Sequence, residues 1–263
     1  MENYSQELQN KIVVYYEKYY KDCGLKDFQE RAKNRIDEEI REERRLEILS
    51  RIFNFDFSNK KHLIVGAGTA GLGVVIKQKY SGEVFGIEPS GEEFEIIKGK
   101  CNEAGLNFLN FKKEVAENIS FGNDFFDFVY CITVLEHVQN VERSIKEMIR
   151  VLKPGGFLYI NTPNYRFPVE KHYKIVFPTF LPKFFGKAYL VLRGKPTSFI
   201  NSIKFLTEKK INKILAGQEN IQWLRIYQSN FLSEKKGAKG FLLKVLIKKL
   251  FIYPNQDIVI QKL

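Results

Sequence analysis

The 263 residues, 44% hydrophobic with 23 Phe and 13 Tyr, exclude a disordered chain and suffice for one large domain whose core needs no covalent staples. Cys23, Cys101 and Cys131 are odd in number, far apart and free of any C-x-x-C spacing, which excludes a disulfide framework or a zinc site and fits a reducing compartment. The net charge of +11 is concentrated late: from Arg166 onward 19 Lys and Arg stand against 5 Asp and Glu, an asymmetry that points to an anionic partner.

The opening MENYSQELQN is polar and fits neither a signal nor a transit peptide. No apolar run reaches the ~20 residues that span a bilayer, so the expected location is cytoplasmic, with peripheral contact at the inner face of the membrane left open. Ser5 is placed to cap a helix running to Cys23 and stopped by Gly24. Tyr15, Tyr16, Tyr19 and Tyr20 share one surface of that helix, a packing face. Asp27 and Glu30 form a capping-box pattern that opens a longer charged helix to about Phe53. Residues 1–55 are thus expected to be a helical cap on a domain spanning 56–263.

From Lys60 strands and helices alternate, the pattern of a parallel sheet with helical crossovers. Strands are expected at 61–65, 84–88, 107–112, 126–132, 156–161, 221–228 and 257–262. One helix opens at Ser90, with Glu93 three residues on, and stops at Gly105; another follows the cap Asn140 with Val141, Ile145, Met148, Ile149 and Leu152 on one face. Residues 163–220 carry five prolines among Phe, Tyr, Leu and Lys, and read as an insertion over the ligand-binding edge of the sheet. Residues 239–251 mix apolar residues with Lys239, Lys244, Lys248 and Lys249, the composition of a basic amphipathic helix.

The chemistry starts at HLIVGAGTAGLG, where an apolar strand runs straight into Gly66, Ala67 and Gly68. Glycines there allow a tight turn and a close approach of backbone donors to a nucleotide-like ligand. Glu88, 20 residues after Gly68 and at the end of the second strand, is placed to accept hydrogen bonds from a ribose diol. A dinucleotide enzyme would share both features. The order that follows is more specific: AEN-x-x-F at 116–121, LEH at 135–137 and RVLKPGG at 150–156. In the last of these, Pro154 halts a helix and Gly155-Gly156 permit a sharp turn into the next strand.

That series resembles class I S-adenosylmethionine-dependent methyltransferases, strongly over residues 60–165. The resemblance implies a Rossmann-like α/β fold with a mostly parallel seven-stranded sheet, its last strand antiparallel, and S-adenosyl-L-methionine as cofactor. It assigns Gly66, Ala67 and Gly68 to the methionine part, Glu88 with Pro89 to the ribose, Ala116 and Glu117 to the adenine, and the backbone of Cys131 and Ile132 to the sulfonium. Ile64 and Val115 depart from it, standing where many members carry acidic residues.

A hydroxyl acceptor benefits from a base. His172, beside Glu170 and Tyr173 just past the fifth strand, is the expected one, with His137 lining the site and His62 structural. Glu136 and His137 also resemble part of the E-x-x-E-H metal site of RNA 3′-terminal 2′-O-methyltransferases, with His172 as a further ligand. Thr133 replaces the first Glu of that pattern, which argues against a hard cation, and no metal is expected. The aromatic, basic tract at 172–195 looks like a bacterial subgroup associated with polysaccharide and glycolipid assembly. The expected acceptor is therefore a small-molecule or lipid-linked saccharide, with anionic membrane as a peripheral partner and nucleic acid less favoured. The alternatives are an RNA or small-metabolite methyltransferase and an inactive binding subunit of the same fold.

Overall fold

The computed structural model describes residues 4–170, 172–177, 179, 183–227 and 252–263, so the expected basic helix at 239–251 lies outside the described residues. Helix α1 (Gln6–Asp22) begins as its sequence requires. The Ser5 hydroxyl accepts from Leu8 N at 3.3 Å, and Gly24 beyond the far end takes φ +67°. Its buried stripe, Leu8, Ile12 and Tyr16, packs with Ala32 and Ile96.

The long second helix is a correction. It is two helices, α2 (Phe28–Lys33) and α3 (Glu38–Phe53), separated by turns at 34–37. Asp27 makes no side-chain cap; its carboxylate is taken by Arg31 Nε at 2.7 Å, and with it goes the capping box. At the break Arg35 turns inward and its guanidinium lies 4.4 Å from the centre of the Tyr16 ring.

The alternating part contains β1 (Lys61–Val65), α4 (Gly71–Tyr80), β2 (Glu83–Ile87), α5 (Gly91–Ala104), β3 (Phe111–Lys112), β4 (Phe126–Ile132), α6 (Val141–Val151) and β5 (Leu152–Pro163). Ser90 and Asn140 cap α5 and α6 through Glu93 N and Arg143 N, as expected. β5 begins four residues before its expected start, because Leu152 already pairs with Phe126 and the Lys153–Gly156 turn is a bulge within the strand.

The expected irregular insertion has structure of its own: a small antiparallel hairpin of β6 (Val169–Glu170) and β7 (Ile175–Val176), then α7 (Lys183–Leu192), α8 (Ser198–Ser202) and α9 (Glu208–Ala216). Tyr173, Phe177, Leu190 and Ile200 give it a satellite core. The chain closes with β8 (Ile221–Ile226) and β9 (Asn255–Lys262). The seven-stranded sheet has the order β3-β2-β1-β4-β5-β9-β8, parallel except for β9, which runs antiparallel to both its neighbours.

Period-two alternation explains the layers. Leu63, Val65, Val129, Cys131, Leu158 and Ile160 face α6 and α9, whereas Ile64, Phe128, Tyr130 and Tyr159 face α3, α4 and α5. No helix among the described residues is long and apolar enough to cross a membrane.

His62 is fully buried, its Nε2 2.9 Å from the Phe57 carbonyl and its Nδ1 3.1 Å from the Tyr130 hydroxyl. Burial outweighs the Phe57 carbonyl and pushes its pKa down to about 4. The unfolded ring takes its proton near pH 6.5, so His62 contributes fully above that pH and its contribution is lost as pH falls toward 4. We expect the stability advantage of wild type over His62→Gln, read from urea midpoints, to shrink by about 3 kcal/mol across that window. A gap that stays constant with pH would show that His62 is not the group titrating.

Candidate functional site

β1 delivers the chain to the glycine loop at the C-terminal edge of the sheet. Gly66 and Ala67 both donate their N–H to the Ile87 carbonyl at 2.9 Å, which fastens the loop to the end of β2. Gly66 takes φ +67° and Gly68 φ +55°, and a Cβ on Gly66 would collide with the Val134 side chain. Only glycine lets the loop and the segment after β4 lie this close.

Glu88, only 6% exposed, stands at the tip of β2. Its Oε2 accepts from Gly68 N and its Oε1 from Ser90 N, both at 2.9 Å. An ionised carboxylate has about four acceptor positions; the two amides and Glu93 take three, which leaves one for a ribose hydroxyl. Burial raises its pKa, and the Ser90 and Gly68 amides pull it back. Glu93, one turn into α5, shares a hydrogen bond with Glu88 and accepts another from Tyr15 of α1. Its own pKa is raised, by burial first and then by the charge of Glu88. Two acids and a phenol therefore stand together between the glycine loop and α1, a donor and acceptor set that fits a nucleoside. Pro89 is exposed beside them.

The sequence reading missed Glu38. Ile64, where an acid was looked for, points under α4 into the core, and Ala70 at the N-cap of α4 has φ +63° and no side-chain cap of its own. Glu38 supplies the carboxylate from α3, accepting from the Thr69 hydroxyl and from Gly71 N at 3.1 Å. Lys100 of α5, with no exposed surface, holds Glu38 at 2.8 Å and Glu39 at 2.6 Å. A charged helix 31 residues upstream carries no local signal that one of its acids reaches this loop.

On the opposite wall Ala116 is buried and Val115 exposed. Glu117 Oε1 accepts from Gln139 N at 2.6 Å and from Asn140 N at 3.0 Å, steadying the entry to α6. Cys131 is fully buried, its thiol pushed up by that burial, and Ile132 is half-buried at the strand end. Thr133, next in line, adopts φ +55°, a strained conformation for a β-branched residue. It turns the chain from the glycine loop toward Glu136 and His137.

There the structure brings together residues 35 positions apart. His172 Nδ1 is 2.7 Å from Glu170 Oε1, and the His137 and His172 rings meet edge to face with centres 5.3 Å apart. Glu170 is pinned by Tyr173 N, which donates to its Oε2 at 2.8 Å. Buried Glu136 accepts from the Thr162 hydroxyl at 2.9 Å. One ligand atom from each of Glu136, His137 and His172 lies within 4.8 Å of the others, so the three could also grip a cation. Desolvation, then the adjacent His172, push the His137 pKa down to about 4, leaving that imidazole neutral at pH 7. Such a cluster can orient a hydroxyl and take its proton.

Similarity to known proteins follows the same boundaries. Residues 63–160 match the family model of a methyltransferase domain. The chain is 35% identical over 102 residues to norajmaline N-methyltransferase of Rauvolfia serpentina, covering 38% of this chain and 35% of the relative. It is 32% identical over 108 residues to a ubiquinone biosynthesis O-methyltransferase of Coxiella burnetii, covering 41% and 45%. The chain thus spans under half the length of these curated relatives. Its fold matches a solved putative sarcosine dimethylglycine methyltransferase from Galdieria sulphuraria with a TM-score of 0.56 at 14% identity, over 85% of this chain and 86% of that one. Residues 63–160 are thus similar to methyltransferase domains, and the strand order around them is that of a Rossmann-like fold.

Proposed function

We propose that the protein transfers the methyl group of S-adenosylmethionine to a hydroxyl of a saccharide carried on a lipid or a nucleotide. The observation that supports an oxygen acceptor is the pairing of Glu170 with His172 next to His137 and Glu136, at the end of the segment that starts against the glycine loop. Bound S-adenosylmethionine supplies an electrophilic methyl on its sulfonium. The carbon–sulfur bond breaks as the carbon–oxygen bond forms, and the proton of the acceptor hydroxyl passes to His172, which Glu170 orients. Gly66, Ala67 and Gly68 turn the backbone tightly enough for the methionine part to lie against it, and Glu88 faces the ribose. Residues 1–55 serve as a cap over this crevice through Tyr15 and Glu38.

Glu88→Ala is expected to weaken S-adenosylhomocysteine binding about 10- to 100-fold by calorimetry, the loss of hydrogen bonds to a charged acceptor. Unchanged affinity would remove Glu88 from the site. The acceptor itself is sought by incubating the protein with methyl-labelled cofactor and cell-envelope extract and weighing the labelled product. Label confined to RNA would reject the saccharide.

A second reading rests on the grouping of Glu136, His137 and His172. A divalent cation held by these three would lower the pKa of the acceptor hydroxyl directly. Glu170 would then fix the ring orientation of a ligating His172.

A further inference from the structure

Beside the acceptor cluster lies a groove of about 950 Å³ whose charge the reaction described above does not use. Its walls carry Lys183, Lys204, Lys210 and Lys213 against a single acid, Glu142. None of these lysines forms an ion pair among the described residues. Lys183 and Lys210 spend donors on backbone carbonyls, those of Asn201 and Ile203 and that of Phe205, which aims the ammonium groups without neutralising them. The Lys183 pKa is lowered, by burial first and then by the charges of Lys204, Lys187 and Lys210, so the cations converge closely enough to repel one another.

The first turns of three helices border the same space: Val141 and Glu142 of α6, Lys183 of α7, and Thr207 with Lys210 of α9. Their aligned peptide dipoles add positive potential to that of the side chains. The groove is also tied to the acceptor cluster. Lys204 N donates to the Glu136 carbonyl at 2.7 Å, so the segment bearing Lys204 separates the two by the width of one chain.

We infer that this groove binds the phosphate group of the acceptor, a mono- or diphosphate ester attached to the saccharide whose hydroxyl is methylated. The inference rests on the acceptor proposed above and narrows it to phosphate-bearing molecules. Clustered cations with no carboxylate partner repel one another until an anion arrives, and the mutual repulsion is relieved on binding. An apolar or neutral acceptor would leave that repulsion in place. The aromatic Phe205 and the apolar Leu206 and Ile214 line the same groove and suit the ring or chain that carries the phosphate.

The test uses the full-length protein and inorganic pyrophosphate, with the charge reversal Lys210→Glu/Lys213→Glu as comparison. Both side chains are exposed and belong to neither the cofactor crevice nor the histidine cluster. Wild type is expected to bind pyrophosphate, more weakly as salt rises, and the double variant about tenfold or more weakly. S-adenosylhomocysteine affinity should stay the same in both proteins. With envelope extract, the variant should transfer less label at limiting extract and recover at excess, a change in KM with kcat kept. Equal pyrophosphate affinity in the two proteins would overturn the inference. So would binding restricted to phosphatidylglycerol vesicles, which would make the groove a membrane contact. Failure of S-adenosylhomocysteine to bind wild type would instead reject the methyltransferase reading, while the pyrophosphate titration still reports on the groove.

Discussion

His172→Ala is expected to lower methyl transfer about 10²- to 10⁴-fold while leaving S-adenosylhomocysteine affinity unchanged, the range associated with loss of one positioned general base. The separation follows from geometry. His172 and its partner Glu170 sit on the β6–β7 hairpin of the insertion, whereas the glycine loop and Glu88 are carried by β1 and β2. Glu170→Gln should fall in the same direction by less, because the amide still occupies the position but no longer favours the protonated ring. The same assay in chelator separates the metal reading. Activity lost on chelation and restored by a divalent cation would mean that Glu136, His137 and His172 act as ligands; undiminished activity would leave His172 as the proton acceptor. A His172→Ala protein that retains wild-type turnover would end both.

Lys100→Met is expected to be the most destabilising single change away from the sheet, by about 3–5 kcal/mol, the range for removing one partner of a buried ion pair. The ammonium is fully enclosed, and both carboxylates it holds are buried, so the variant leaves two negative charges facing a thioether. Although burial raises the Glu38 pKa, Lys100 and Arg35 together hold it down to about 2. The sign is that of a depressed carboxyl: its contribution is present above pH 4.5 and is lost as pH falls toward 2. Urea midpoints at pH 7 measure the cost, and wild type and variant should converge in acid. Pairing Lys100→Met with Glu39→Gln should recover part of the loss, since one unpaired charge goes. A midpoint unchanged in Lys100→Met would mean that water reaches these carboxylates.

The elements legible in the sequence were those specified by neighbours along the chain. Alternation over 61–65 and 126–132 matches β1 and β4 residue for residue, and Ser90 and Asn140 cap the helices that they precede. The glycine loop and Glu88 were also readable, because a turn and an acid at fixed spacing are a local pattern. What failed was decided by partners far away. Asp27 and Glu30 have the spacing of a capping box, but Arg31 takes Asp27, and the pull of Tyr16 and Glu38 on Arg35 accompanies the break between α2 and α3. The charged run 38–45 gives no local sign of burial, yet Glu38, Glu39 and Glu42 are buried, which Lys100, 62 residues from Glu38, together with Arg35, Arg41 and Arg45 makes tolerable. The meeting of His137 with His172 needed the hairpin, whose strands of two residues are too short to leave a periodic trace.

The reach of Glu38 and Tyr16 to Thr69, just past the glycine turn, sets a lower bound on how small a working version of this protein can be. A fragment trimmed to residues 63–160, where family similarity is strongest, would strand Lys100 without its counterions and leave the first turn of α4 with no oxygen to cap it. Grafting a foreign N-terminal segment onto that fragment would not repair it unless an acid arrived at the same spot from the same side. The helices ahead of the matched domain are locked to it through Glu38, Glu39 and Lys100, and swaps between relatives should move the two as one piece.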